Sequence, residues 1–241
     1  RWQYHSRSDR HSKIACWGML FDLLRECPQL VDQVRRDKVG FGINHEMRDF
    51  RTARRKNLDL VICTRGADEN IEGLEFRDLV DQYQIKLVGS EVGELKLLPA
   101  LRRFSVGSVH LALEAKACMT AHIKALPRLY DELNSSHAAI HGSADFAIAS
   151  GFAMVNFSPT FVSTDRNKRK LGRKAATVSE HSQPRDTERT IEKLKEIPRR
   201  TQSNTDGFDA LGIVVVCMAN DGTPVSLVTE PPAPHASDPW H

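Results

Sequence analysis

The sequence predicts an α/β fold in which helices flank a central mixed β-sheet. Apolar runs rich in branched residues are typical of strands, and they recur at 57–64, 109–118, 146–157 and 207–218. Segments with apolar residues at helical spacing lie at 12–27, 120–140 and 187–197. Because the two kinds of segment alternate through the middle of the chain, they favour a sheet covered by helices.

The N-terminal part begins with a predicted helix over residues 12–27. Ser12 is a suitable N-cap for this helix, and Pro28 helps to end it. Residues 29–37 form either a second short helix or a continuation of the first after a break. Residues 37–44 form either a short strand or an extended loop, and a strongly basic stretch follows them.

The middle of the chain holds four predicted elements after the strand at 57–64. The mixed stretch 66–108 includes one helical piece, and the strand at 109–118 follows it. Pro127 kinks or breaks the next helix, 120–140, near its first turn. Gly151, in the strand 146–157, marks either a bulge or a close approach of another element.

The composition becomes polar and basic after residue 162, which predicts an exposed loop at 163–186. The helix at 187–197 ends before Pro198. Asn-Asp-Gly at 220–222 is a turn signal, so the strand before it and the segment 225–229 are expected to form a hairpin.

Composition excludes several classes of protein. The net charge is only +3, and the longest apolar run, near 212–219, is too short to cross a membrane. The five cysteines are scattered and form no Cys-x-x-Cys pair, which is typical of reduced core residues. The polar first residues show no secretory signal pattern. We therefore expect a cytoplasmic protein that does not associate with membranes.

The strand 109–118 contains an acid and a base, Glu114 and Lys116, among apolar residues. Residues two apart in a strand point to the same face, so the two side chains share one side of the sheet. Burial of either charge is costly unless the group is paired or binds a metal. The pair is therefore either a structural ion pair or part of a functional site.

The strand 57–64 raises the same question with Asp59. If the two strands are neighbours, Asp59 and Glu114 can converge, and a divalent cation would relieve the repulsion between their carboxylates. Mg²⁺ suits such a site because it takes one or two carboxylates together with waters and substrate phosphates. Lys116 could then stabilise charge on a phosphate or assist the attacking water.

An acid in one strand followed by Glu-x-Lys in the next resembles the PD-(D/E)xK nuclease superfamily of restriction-endonuclease-like enzymes. The matching residues are Asp59 in NLDLVIC and Glu114 and Lys116 in LEAKAC, although Leu58 stands where that family has proline. The resemblance implies Mg²⁺-dependent cleavage of phosphodiester bonds, with Mn²⁺ as an alternative metal. It also implies a second acid from the helical region before the first site strand, which Glu46 matches best.

The resemblance also implies a domain organisation. Glu114 follows Asp59 by 55 positions, which is longer than the common spacing in the family. We therefore expect a nuclease core over 1–162 with an insertion at about 66–108. A basic linker over 163–186 would precede the segment 187–241, whose helix and strands complete or extend the core. By resemblance to type II restriction enzymes, we expect a homodimer acting on double-stranded DNA within a restriction system.

Basic residues supply the candidate contacts to nucleic acid, because Lys and Arg bind its phosphates. One group precedes the Asp59 strand, and its members are Arg48, Arg51, Arg54, Arg55 and Lys56. A second group lies in the predicted loop and after the Glu-x-Lys strand, and its members are Lys124, Arg166, Lys168, Arg169 and Lys170. The alternative interpretation is a solvated helix face for the first group and an uninvolved loop for the second.

Two other functions remain open at this stage. A non-catalytic nucleic-acid-binding protein of the same fold would use the basic segments and keep Glu114 and Lys116 as a structural ion pair. An interaction or scaffold protein with a phage or defence role would use its basic residues only for solubility. The first would bind nucleic acid independently of Mg²⁺, and the second would not bind it.

Overall fold

A computed structural model describes residues 2–67, 73–167, 176–203 and 205–240. It confirms the predicted fold class, because these residues form a six-stranded mixed sheet flanked by helices. The helices are α1 (Arg10–Glu26), α2 (Pro28–Arg35), α3 (Leu79–Tyr83), α4 (Gly89–Leu97), α5 (His122–Ser143) and α6 (Arg185–Lys195). The strands are β1 (Gly40–Arg48), β2 (Arg55–Arg65), β3 (Val106–Cys118), β4 (Ile148–Asn156), β5 (Thr160–Val162), β6 (Val178–Glu180), β7 (Ala210–Cys217) and β8 (Ser226–Val228).

The strand order in the main sheet is β1-β2-β3-β4-β7-β8, and β5 pairs with β6 in a separate ladder. β1 and β2 form an antiparallel hairpin that closes at Arg48 and Arg55. β3 runs antiparallel to β2, with Leu60 opposite Leu113. The two strands that carry Asp59 and Glu114 are therefore neighbours.

The chain divides into two compact units. The first unit comprises residues 12–114 and 136–150, and the second comprises residues 1–11, 115–135 and 151–241. The boundaries fall inside α1, β3, α5 and β4, so each unit is discontinuous in sequence.

An aromatic cluster fixes α1 in the core of the first unit. The indole of Trp17 stacks on the rings of Phe21 and Phe76, each at 5.1 Å between centroids. Its Nε1 also donates a hydrogen bond of 3.3 Å to the carbonyl oxygen of Phe76, so the polar atom of the buried indole is paired. Phe41 of β1 meets Phe76 edge-on at 6.3 Å. One cluster thus joins α1 to the first strand of the sheet.

Asn156, at the end of β4, organises the second unit. Its side chain is fully buried, and its amide nitrogen donates to the carbonyl oxygens of Met119, at 2.8 Å, and Met218, at 2.9 Å. Its amide oxygen accepts from the backbone nitrogens of Ser158 and Met218, both at 3.0 Å. Met119 and Met218 directly follow β3 and β7, so one amide joins the ends of three strands and leaves none of its own polar atoms unpaired.

Several sequence predictions of element boundaries are corrected by the structure. α1 begins at Arg10, so Ser12 lies inside the helix and is not its N-cap. The exposed loop predicted at 163–186 contains the short strand β6. Pro127 lies inside α5, which continues through it. The predicted hairpin after the Asn-Asp-Gly turn is confirmed by the antiparallel pairing of β7 and β8.

Another part of the chain approaches the backbone of Gly151 closely, which is one of the two interpretations of this glycine from the sequence. A Cβ atom at this position would lie 2.7 Å from Leu211 Cδ1 and 3.0 Å from Phe208 Cζ. Both neighbours are buried, so neither side chain has room to move away.

We therefore expect Gly151→Ala to lower the free energy of unfolding by about 1–3 kcal/mol through overpacking. Urea unfolding measures the effect. Gly18→Ala in α1 is the matched control, because a Cβ there meets no atom within 4 Å. That substitution should stabilise the helix by up to about 1 kcal/mol. Equal effects of the two substitutions would contradict the packing argument.

Candidate functional site

Glu114 is a buried acid in the middle of the sheet. Its side chain is 1% exposed, and Leu113 and Ala115 on either side of it in β3 are fully buried. Transfer of a carboxylate from water to such surroundings costs several kcal/mol unless positive charge or hydrogen bonds compensate it. A bound cation is one form of that compensation.

Asp59 lies on β2, half-buried, and accepts a hydrogen bond of 3.0 Å from the hydroxyl of Ser12 in α1. Leu60 is opposite Leu113 in the β2–β3 ladder, and Asp59 and Glu114 are the next residues along the two strands. Opposite residues in such a ladder have Cβ atoms about 4.5–5.5 Å apart and point to the same face. Continued by one residue, the register therefore places Asp59 opposite Glu114, with both side chains on the same face of the sheet.

The donor set fits a magnesium ion better than a transition metal. Two carboxylates are the protein ligands that Mg²⁺ usually takes, and waters and substrate phosphates complete its coordination. In the part of the chain that the structure describes, no group of three or more His, Cys, Asp or Glu side chains is arranged to hold a metal. The two carboxylates that the sequence assigns to such an ion are Asp59 and Glu114.

The structure places Glu46 in a different kind of element from the one that the sequence predicts. It lies in β1, a strand, and not in a helical region before the first site strand. Its side chain is exposed and forms an ion pair of 3.2 Å with Arg55. Glu46 is opposite Asn57, two residues from Asp59 along β2. Diagonal neighbours of this kind are about 7–8 Å apart, so Glu46 could reach a metal at Asp59 through a water.

Lys116 has a partner that the sequence did not indicate. In the second unit, its Nζ lies 3.7 Å from the carboxylate of Glu132 on α5. Glu132 also accepts a hydrogen bond of 2.6 Å from Arg128, one turn earlier in the helix. Only 29% of the Glu132 side chain is exposed. Glu132 thus orients the ammonium group of Lys116.

His11 is close enough to Lys116 to sense its charge. The pKa of His11 is lowered from 6.5 to about 4. Burial is the larger cause, and the nearby ammonium of Lys116 is the second. Asp9 and the backbone of Ser8 oppose the shift but do not cancel it. The imidazole ring, which contacts Tyr4 at 4.8 Å between centroids, is therefore neutral at pH 7.

The basic residues before Asp59 cluster at the end of the β1–β2 hairpin, so the face that they form is not helical, and their binding to nucleic acid stays a prediction. Arg48 ends β1, Arg51 and Arg54 lie in the connecting loop, and Arg55 and Lys56 begin β2. All four arginines are exposed, and Lys56 is half-buried. The hairpin end is therefore a positively charged surface of the first unit.

Lys124 and Arg166 line a cleft of about 470 Å³ in the second unit. Glu180 and Asp186 line the same cleft, so its positive and negative side chains balance. This cleft is therefore a weaker candidate for phosphate binding than the hairpin end. Lys168, Arg169 and Lys170, also predicted to bind nucleic acid, lie outside the described residues.

Comparison with protein-family models, curated proteins and solved structures finds no match for this chain. Membership of the PD-(D/E)xK superfamily therefore stays a prediction from Asp59, Glu114 and Lys116. No helix among the described residues is both long enough and apolar enough to span a bilayer.

Replacement of Lys116 should change the titration of His11. We expect Lys116→Met to raise the pKa of His11 above its value of about 4, because a nearby positive charge is removed. The pKa should stay below 6.5, because burial is the larger cause of the shift. NMR titration of the histidine ring protons measures it. Lys124→Met is the control, and an equal shift in that variant would contradict the proximity of Lys116.

Proposed function

We propose that this protein is a Mg²⁺-dependent endonuclease that hydrolyses phosphodiester bonds of double-stranded DNA, as type II restriction enzymes do. The observation that carries the proposal is the β2–β3 register, which brings Asp59 to the same part of the sheet as the buried Glu114. Two carboxylates on the same face of neighbouring central strands are the kind of oxygen ligands that a divalent cation takes. The charged hairpin end of the same unit supports a polyanionic substrate.

Each residue has a separate role in the proposed reaction. Asp59 and Glu114 would hold Mg²⁺ or Mn²⁺, and Glu46 would assist through water. The chemistry supplied there would be polarisation of the phosphate and activation of a bound water. Lys116, two residues after Glu114 in β3, supplies positive charge to the phosphate or orients the attacking water. Glu132 positions Lys116 through their ion pair.

The proposal includes a homodimer in the cytoplasm as part of a restriction system. Cleavage of both strands of a duplex needs two sites of opposite polarity, and two-fold symmetry is the usual way to supply them. This part rests on the resemblance to restriction enzymes and on the chemistry of duplex cleavage.

A non-catalytic nucleic-acid-binding protein is the second candidate, and one contact favours it. Lys116 already has a carboxylate partner in Glu132, as expected of a lysine whose role is structural. In this alternative the acid and base of β3 stabilise the sheet, and the hairpin end still binds phosphates. Its affinity for nucleic acid would not depend on Mg²⁺.

Plasmid cleavage with and without Mg²⁺ tests the proposed function. We expect the intact protein to cut only with metal. Glu114→Gln should lower the rate by about 100-fold or more, because it removes a charged metal ligand. Lys116→Ala should lower the rate to a similar extent while DNA binding persists. Methylated and unmethylated plasmids should both be used, because restriction enzymes distinguish them.

Glu192→Gln is the matched control for these variants. Glu192 is an exposed acid of α6, so its replacement should leave both folding and cleavage unchanged. If the intact protein cuts none of the plasmids but binds them equally with Mg²⁺ and with EDTA, the endonuclease proposal fails and the non-catalytic alternative stands.

A further inference from the structure

Two large aromatic side chains are exposed at one end of the first unit. Phe50, in the loop of the β1–β2 hairpin, is 73% exposed, and Phe146, between α5 and β4, is 93% exposed. Exposure of a phenylalanine forfeits about 1.5–3 kcal/mol of possible burial free energy. A single exposed apolar residue is ordinary, but two beside a basic cluster call for an explanation.

The hairpin loop is held in one conformation by Asp49. Its carboxylate is buried and accepts hydrogen bonds from the backbone nitrogen of Arg51, at 2.9 Å, and the hydroxyl of Thr52, at 2.6 Å. Its backbone nitrogen donates to the carbonyl oxygen of Arg54 at 2.8 Å. The loop that presents Phe50 is therefore pre-organised, and binding to it would cost little conformational entropy.

The same loop is docked against the end of α5. The backbone nitrogen of Phe50 donates a hydrogen bond of 3.2 Å to the carbonyl oxygen of Gly142. A Cβ at position 142 would collide with the carboxylate of Asp49, so the close approach requires glycine there. Phe146 follows Gly142 by four residues, which span at most about 14 Å. Phe146 therefore lies within about 14 Å of the residue against which the Phe50 loop is docked.

We call the surface formed by Phe50, Phe146, Arg48, Arg54 and Arg55 the aromatic–basic surface. Its arginines suit the phosphates of a nucleic acid, and its phenyl rings suit the faces of unpaired bases. In a continuous duplex the bases are stacked on one another, so their faces cannot reach exposed rings at the protein surface. A surface that offers both charge and ring faces therefore matches a single strand better than a duplex.

We propose that the aromatic–basic surface binds single-stranded nucleic acid, with unpaired bases stacked on Phe50 and Phe146 and phosphates held by the arginines. The ligand is defined by this shared chemistry, which DNA and RNA both provide. The inference rests on the proposed function only in taking nucleic acid as the ligand, and it needs neither metal nor cleavage. It adds an unpaired segment to the substrate of the proposed enzyme.

Fluorescence anisotropy with labelled single-stranded oligonucleotides, in EDTA, tests the proposal on the full chain. Phe50→Ala and Phe146→Ala should each weaken binding by roughly 5- to 150-fold, the equivalent of about 1–3 kcal/mol per stacked base. The slope of log affinity against log salt should not change in these variants. Arg54→Ala should instead reduce that slope by about 0.7, the value for one lost phosphate contact on a single strand.

Leu97→Ala in α4 is the matched control, because Leu97 is a large apolar side chain that is 84% exposed outside this surface. Its binding should equal that of the intact protein. DNA and RNA oligonucleotides of the same sequence show which of the two nucleic acids is the ligand. The proposal is supported whether the DNA or the RNA strand binds more tightly. The proposal is overturned if both phenylalanine variants bind single strands normally, or if they weaken duplex binding as much as single-strand binding.

The anisotropy experiment and the plasmid assay test the two proposals separately, so either proposal can fail without the other. Because the anisotropy experiment is run in EDTA, an inactive metal site leaves its result unchanged. Conversely, normal binding by the phenylalanine variants would refute the stacking surface while leaving Mg²⁺-dependent cleavage intact.

Discussion

Burial of the Glu114 carboxylate is the constraint on which the centre of this structure depends. The residue is 1% exposed in a strand of 13 residues, so a charge on it is costly unless it is compensated inside the protein. Continued by one residue, the register places Asp59 of the neighbouring strand opposite it, so a second acid faces the same side of the sheet. A sheet stabilised by packing alone would place apolar residues at both positions, so the two acids are the feature of this centre that packing does not explain.

The sequence predicted the strands of this centre because their residues follow a simple rule. Apolar runs of branched residues identified β2, β3 and β4, and a polar residue inside such a run identified Asp59 and Glu114. The partners of the charged groups could not be predicted in this way. Ser12 contacts Asp59 because of the rotation of α1 about its own axis, and Glu132 contacts Lys116 because of the corresponding rotation of α5. Those rotations follow from the packing of whole helix faces, which a short motif does not encode.

The β1–β2 hairpin was harder to predict because its outer half is exposed. Gly40, Phe41 and Gly42 are buried at the start of β1, but exposed and half-buried residues alternate through Ile43–Glu46. Where solvent covers a strand end, long charged side chains are tolerated, and the apolar pattern that identifies strands is lost. Glu46 was consequently assigned to a helical region, although it lies in β1. The exposed rings of Phe50 and Phe146 gained significance only once tertiary structure placed them near one another.

β2 carries residues of both proposed activities. Four residues separate Arg55, at the hairpin end, from Asp59, and a strand rises about 3.4 Å per residue, so the two positions are about 14 Å apart. This distance corresponds to a few nucleotides of a nucleic acid strand. A nucleic acid whose unpaired bases stack at the hairpin end could therefore place a phosphate a few steps away at Asp59. Because both positions lie on one rigid strand, the separation between stacking and hydrolysis would be fixed by the sheet, and cleavage would occur at a constant offset from the unpaired segment.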